Sequence, residues 1–157
     1  EKAQKYFSKL GTTLYYRVRG IDDRHVIVNR EVKSIGFERT LKANVSKRSE
    51  IIEIFKKIVR HNEDRLRNKK KWAKTITIKV KYDDFTQITR SKTLDYPIRE
   101  YEDIMPIVIE LLETVELKDK QIRLLGTSGS SLFDKPRSRN SFEKRVYIQI
   151  LLDLKFR

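Results

Sequence analysis

A chain of 157 residues with 36 lysines and arginines against 22 acidic residues carries a formal net charge of +14. That balance points to a polyanionic partner, nucleic acid first and an anionic membrane surface second. The absence of cysteine excludes a disulfide scaffold or thiolate metal site, and no apolar run approaches the ~20 residues that span a bilayer.

The length suits one domain with a real core plus additional segments. Tyr6, Phe7, Leu10, Leu14 and Tyr15 recur at roughly helical spacing, so residues 1–21 are predicted helical, broken at Gly11 and ended at Gly20. The first residue is Glu1, not Met, and this segment is expected to be the end of something longer. Asp22–Glu31 is polar and reads as a linker. Val32–Leu41 is a strand candidate, followed by a turn over Lys42–Lys47 with Ser46 as the helix N-cap. From Lys47 to Asn68, the apolar residues Ile51, Ile52, Phe55, Ile58, Val59 and Leu66 fall on one helical face.

Lys74–Tyr82 alternates cleanly: Ile76, Ile78, Val80 and Tyr82 on one side, Thr75, Thr77, Lys79 and Lys81 on the other. Asp83-Asp84 makes a tight connection to Phe85–Leu94, which completes a hairpin. A second helix covers Glu100–Val115. Pro106 is tolerable in its first turn, which puts the start near Glu102 or Asp103. Gln121–Thr127 is a last strand, Thr127–Ser131 a flexible stretch, and Lys135–Lys144 a basic linker. The order is β-α-β-β-α-β. It predicts an α+β fold, a four-stranded antiparallel sheet with both helices on one face.

The strands carry an unusual composition. Lys33-Ser34-Ile35-Gly36-Phe37-Glu38-Arg39-Thr40, Thr89-Arg90-Ser91-Lys92-Thr93-Leu94 and Ile122-Arg123-Leu124-Leu125-Gly126 place Ser, Thr, Arg, Lys or Gly where a buried strand would carry Val or Ile. Amides, hydroxyls and guanidinium groups on a sheet face are what a phosphate backbone requires. Lys79 and Lys81 join that face.

Other motifs read blandly. Tyr82-Asp83-Asp84 resembles a metal-binding carboxylate pair, but no third carboxylate has a comparable strand setting, and Asp is a turn residue. His25 and His61 have no partner at metal or general-base spacing. Trp72, Tyr82, Phe85 and Tyr96 lie at strand ends or on the apolar face, which favours packing over base stacking.

At this point the residues match a family. The chain resembles the C-terminal part of Y-family translesion DNA polymerases of the bacterial polymerase IV type. Arg19-Gly20-Ile21-Asp22 after Tyr15-Tyr16 is similar to the end of the family's thumb; the three strand segments quoted above are similar to its little finger domain. The implied organisation is the end of the thumb at 1–22, a linker at 23–32, the little finger at 33–134 and a tail at 135–157. The resemblance implies that the little finger lies in the major groove beside the primer–template junction, with Ser34, Gly36, Arg39, Thr40, Thr89, Arg90, Ser91 and Arg123 at the DNA. His25 stands where the family usually has Pro, and Leu124 and Ser128 where some relatives have Arg.

Further implications concern the parent protein. It would be a DNA-directed DNA polymerase, cytoplasmic, using magnesium and nucleoside triphosphates to copy past DNA damage. The palm and fingers would lie before Glu1, so this piece holds no cofactor and does not polymerise. Gln149-Ile150-Leu151-Leu152-Asp153-Leu154 is similar to the peptide that docks on the bacterial sliding clamp (beta subunit). Gln149, Ile150, Leu152 and Leu154 would be its anchors, with alternating apolar side chains in a groove. Two other classes compete: a basic RNA-binding module of ferredoxin-like topology, which would present aromatics on its middle strands, and a pure protein-interaction module.

Overall fold

The structure, a computed structural model, describes residues 2–25, 28, 30–117 and 120–134. The chain divides into two compact units, Glu1–Glu31 and Val32–Arg157.

The first unit is built on helix α1, Lys2–Arg17. It runs unbroken through Gly11, against the expectation of a break there: one glycine costs a helix about 1 kcal/mol relative to Ala, which neighbouring turns absorb. Gly20 does end it. With φ at +73°, Gly20 donates to the Arg17 carbonyl at 3.0 Å and Ile21 donates to the Tyr16 carbonyl at 3.1 Å. This is the left-handed Schellman cap that favours glycine.

The second unit follows the predicted order: β1 (Ser34–Val45), α2 (Arg48–Asn68), β2 (Trp72–Tyr82), β3 (Gln87–Ile98), α3 (Tyr101–Glu113) and β4 (Ile122–Phe133). The strands form one antiparallel sheet in the order β1-β4-β2-β3. α2 packs on β1 and β4, and α3 on β2 and β3. The core is the apolar side of that sheet against the two helices: Ile35, Ile76, Ile78, Val80 and Leu125 meet Ile51, Phe55, Ile58, Val59 and Leu66 from α2 and Ile104, Val108 and Leu112 from α3. Burial of these side chains supplies the main stabilisation, roughly 1.5–3 kcal/mol for each large one.

Four local expectations need correction. Ser46 is not the N-cap; Lys47 takes that position, without a side-chain cap bond. β1 continues through Lys42-Ala43-Asn44 to Val45, which pairs with Ile122 across a bulge. Pro106 is the sixth residue of α3, beyond its first turn. Its missing N–H deprives only the carbonyl of Glu102, an exposed residue. Most important, Thr127–Ser131 is not a flexible stretch but the middle of β4, paired on both sides. Its glycine and serines are there because the strands approach closely. A Cβ at Gly129 would lie 2.5 Å from Ala73 Cβ, and one at Gly126 would lie 2.7 Å from Glu38 Cβ.

Buried between α2 and β4, Asn62 donates from Nδ2 to Thr127 Oγ1 at 3.2 Å, while its Oδ1 has no hydrogen-bond partner.

Candidate nucleic-acid interface

Cross-strand partners share a face of the sheet, so the register defines what the uncovered side displays. Reading from β1 through β4 and β2 to β3, one rung is Ser34, Ser130, Thr75 and Thr93. The next is Gly36, Ser128, Thr77 and Ser91; then Glu38, Gly126, Lys79 and Thr89; then Thr40, Leu124, Lys81 and Gln87. The intervening rungs, such as Ile35-Gly129-Ile76-Lys92, face the helices. The open face is thus paved with hydroxyls and glycines, and Thr75 and Thr93 hydroxyls bond across it at 2.9 Å. An open depression lined by Ser34, Gly36, Glu38, Thr77 and Lys79 lies in its middle.

Among the described residues β1 is an edge strand. A Cβ on Gly36 would sit 2.7 Å from Ser128 Cβ, which marks Gly36–Ser128 as a narrow pair, one whose backbone groups turn away from each other. The amides of Ser34, Gly36, Glu38 and Thr40 therefore point to the outer edge. Arg65 of α2 reaches round that edge and donates from Nη1 to the Gly36 carbonyl.

The cations differ in their availability. Lys79 Nζ is held by Glu38 Oε2 at 2.6 Å. Lys92 is bound to Glu110 and Lys120 to Asp84 at 2.7 Å. Among the described residues, Lys81 and Arg123 have no ion-pair partner and instead flank the ring of Phe85, at 5.1 and 5.0 Å from its centroid.

The structure brings seven of the ten sequence-predicted contact residues onto one surface: Ser34, Gly36, Thr40, Lys79, Lys81, Thr89 and Ser91. Arg123 joins them at the hairpin end, beside Phe85. Arg39 and Arg90 do not. Arg39 pairs with buried Leu125 and lines a hollow with Ile54, Lys57 and His61 of α2. Arg90 pairs with buried Ile78. Both lie on edge strands, on the helix-covered side.

Sequence reasoning quoted Thr93 in its strand without naming it a contact, and missed Ser128 and Ser130 as members of the surface and Arg65 at its edge. Of the four aromatics, Tyr82 is buried and donates to the Glu116 carbonyl at 2.7 Å, and Trp72 is covered by Arg99. Phe85 overturns the packing expectation, being 61 % exposed. Asp83 and Asp84 form the β2–β3 turn, where Asp84 accepts from the Thr86 amide at 2.8 Å. Lys120 and Thr86 together hold the Asp84 carboxyl down to about 2. Among the described residues, no three of His, Asp or Glu converge as metal ligands, and no helix is long and apolar enough to cross a membrane. Gln149, Ile150, Leu152 and Leu154 lie outside the described residues.

This geometry can be set beside known proteins. The family model described as the impB/mucB/samB family C-terminal domain matches residues 32–142, the greater part of the chain. The chain belongs to the impB/mucB/samB family. Relatives of this impB/mucB/samB-family domain include DNA polymerase IV of Clostridioides difficile, 47% identical over 133 residues, covering 84% of this chain and 36% of the relative. Another is DNA polymerase IV of Bacteroides fragilis, 35% identical over 150 residues, covering 96% of this chain and 40% of the relative. The chain thus spans a little over a third of the length of the curated relatives it matches. Among solved structures, a Y-family DNA polymerase chimera aligns with a TM-score of 0.64 at 18% identity, over 85% of this chain and 38% of that one. A complex of the beta-clamp processivity factor and the little finger domain of polymerase IV aligns with a TM-score of 0.54 at 23% identity, over 68% of this chain and 95% of that one. At those identities the likeness is one of fold: the impB/mucB/samB-family domain has the four-stranded α+β fold of a little finger.

Proposed function

We propose that the open sheet face grips the phosphate backbone of duplex primer–template DNA from the major groove, as the little finger of a translesion DNA polymerase. The observation that carries this reading is the four-rung face of hydroxyls and glycines, flanked by outward β1 amides and by Lys81 and Arg123. Small donors let a strand edge approach phosphates closely, and among the described residues the two cations have no competing carboxylate. On the four rungs from Ser130–Thr75 to Leu124–Lys81 the middle strands β4 and β2 carry no aromatic, which disfavours the RNA-stacking alternative.

Residues 1–22 would then be the end of the thumb, 23–32 the linker, 33–134 the little finger and 135–157 a clamp-binding tail. The whole protein would carry out magnesium-dependent, template-directed DNA synthesis past lesions. Its metal site would lie elsewhere in that protein: among the described residues no three carboxylates or histidines converge, and Asp84 is engaged by Lys120 and the turn. Gln149–Leu154 would dock on the bacterial sliding clamp, with Gln149→Ala and Leu152→Ala each weakening that binding by about tenfold or more.

The test is a titration of the 157-residue chain with duplex DNA at several salt concentrations. Affinity should be insensitive to sequence, and its logarithm should fall against that of salt with a slope of about −3 to −5. A slope near zero, or equal preference for single-stranded RNA in competition, would refute backbone recognition of duplex DNA.

A further inference from the structure

The turn between β2 and β3 is built for a residue other than the one it holds. Phe85 donates to the Tyr82 carbonyl at 3.1 Å, and Tyr82 donates to the Thr86 carbonyl at 2.9 Å. This is a three-residue hairpin loop whose last position takes the left-handed conformation, where Gly or Asn is usual. Phe85 sits there with φ at +66°, a conformation costly for a bulky side chain. The strain does not serve packing, because Phe85 is 61 % exposed.

What the strain does achieve is placement. The ring projects at the hairpin end of the open face, with Lys81 Nζ 5.1 Å and Arg123 Cζ 5.0 Å from its centroid, beside the half-buried Leu124, which is Lys81's direct partner on β4. An exposed ring with two cations near it, neither paired with a carboxylate among the described residues, is complementary to a strand that offers phosphates and a flat apolar face together. In a duplex the flat faces are hidden in the base stack. An unpaired base exposes one.

We infer that Phe85 is a stacking contact for an unpaired nucleobase of a single strand adjoining the duplex, with Lys81 and Arg123 holding the phosphates where the duplex gives way to that strand. This assignment rests on the reading of the open face as a duplex-binding surface and goes beyond it, since it adds an unpaired base at the hairpin end to the duplex phosphates that the sheet and its two cations take. Stacking on an aromatic tolerates any base, so no sequence preference results.

The experiment compares three DNA ligands of the same duplex length on the 157-residue chain: blunt, with a single-stranded overhang, and with an overhang of abasic residues. The abasic overhang keeps the phosphates and removes the bases. The unmodified chain should bind the base-bearing overhang at least about fivefold more tightly than the abasic one, the lower end of what one stacked base contributes. Phe85→Gly should erase that difference, leave blunt-duplex affinity within about twofold and raise Tm, because glycine relieves the turn. Phe85→Leu, which keeps apolar bulk without a ring, should also erase it. Equal binding of the base-bearing and abasic overhangs by the unmodified chain overturns the inference, as does a preference that survives in both variants. Loss of salt-dependent binding to the blunt duplex in the unmodified chain would instead overturn the duplex reading beneath it.

Discussion

Glu38 sits on the proposed DNA face as a built-in competitor for Lys79, and its removal should tighten DNA binding. The carboxylate lies 2.6 Å from Lys79 Nζ, with the lysine side chain 36 % and the glutamate side chain 52 % exposed. An exposed pair of this kind contributes about 0–1 kcal/mol to stability, so Glu38→Gln should fold normally, and Gln keeps the Cβ that rests over Gly126. Freeing Lys79 adds one cation able to neutralise a phosphate. One further neutralised phosphate steepens the salt slope by about 0.9 and at 0.1 M salt raises affinity by about eightfold over the unmodified chain. Fluorescence anisotropy with a labelled duplex across several salt concentrations measures both quantities. Lys79→Ala added to Glu38→Gln should cancel the gain, which a general change in net charge would not predict. An unchanged slope for Glu38→Gln, or a gain that persists without Lys79, would refute the view that this lysine faces phosphate.

The placement of the other cations predicts a split: Lys81→Ala and Arg123→Ala should each flatten the slope by about one unit, and Arg39→Ala and Arg90→Ala by clearly less, because their register puts them on the other side of the sheet. In an NMR titration, the Asp84 carboxyl should titrate at about 2, and Lys120→Met should move it up toward the ordinary carboxylate range; because the folded value is depressed, the stabilisation it gives is present above the ordinary carboxylate value and is lost as pH falls through about 2. Thr127→Val should destabilise the domain by about 1–3 kcal/mol in denaturant unfolding, since it leaves the buried Asn62 amide without its partner, and Asn62→Leu in that background should recover much of the loss. Gly129→Ala should cost about 1–3 kcal/mol by the same assay, because the new methyl meets Ala73 at 2.5 Å.

Much of the fold was legible because two periodicities are clean. Ile76, Ile78, Val80 and Tyr82 alternate without exception, and Ile51, Phe55, Ile58, Val59 and Leu66 keep a helical stripe. β4 was legible only in its first half. Ser128, Gly129 and Ser130 look like a loop in sequence, because the reason for small residues there is a neighbouring strand distant along the chain. The same blindness hid half of the open face. Arg39 and Arg90 were attractive for their charge, but a charge on an edge strand carries no label for its side of the sheet; only the register with Leu125 and Ile78 supplies one. Phe85 was misjudged for a related reason, since aromatic character suggests burial and a backbone angle is invisible in the residue list.

The strand order has a consequence for how the domain is made. Among the described residues β4 is the last strand to be synthesised, lies between β1 and β2 and is the only neighbour of β1 in the sheet. While a ribosome is still producing residues before Ile122, β1 has nothing to pair with, and β2–β3 can form only a two-stranded hairpin, which is marginal alone in water. The core therefore closes in one late event, when a strand from the far end of the chain threads into the gap between two waiting elements. Contacts of such long sequence separation make for slow folding. A nascent chain stalled short of β4 should be protease-sensitive throughout, and a few residues more should render it resistant all at once.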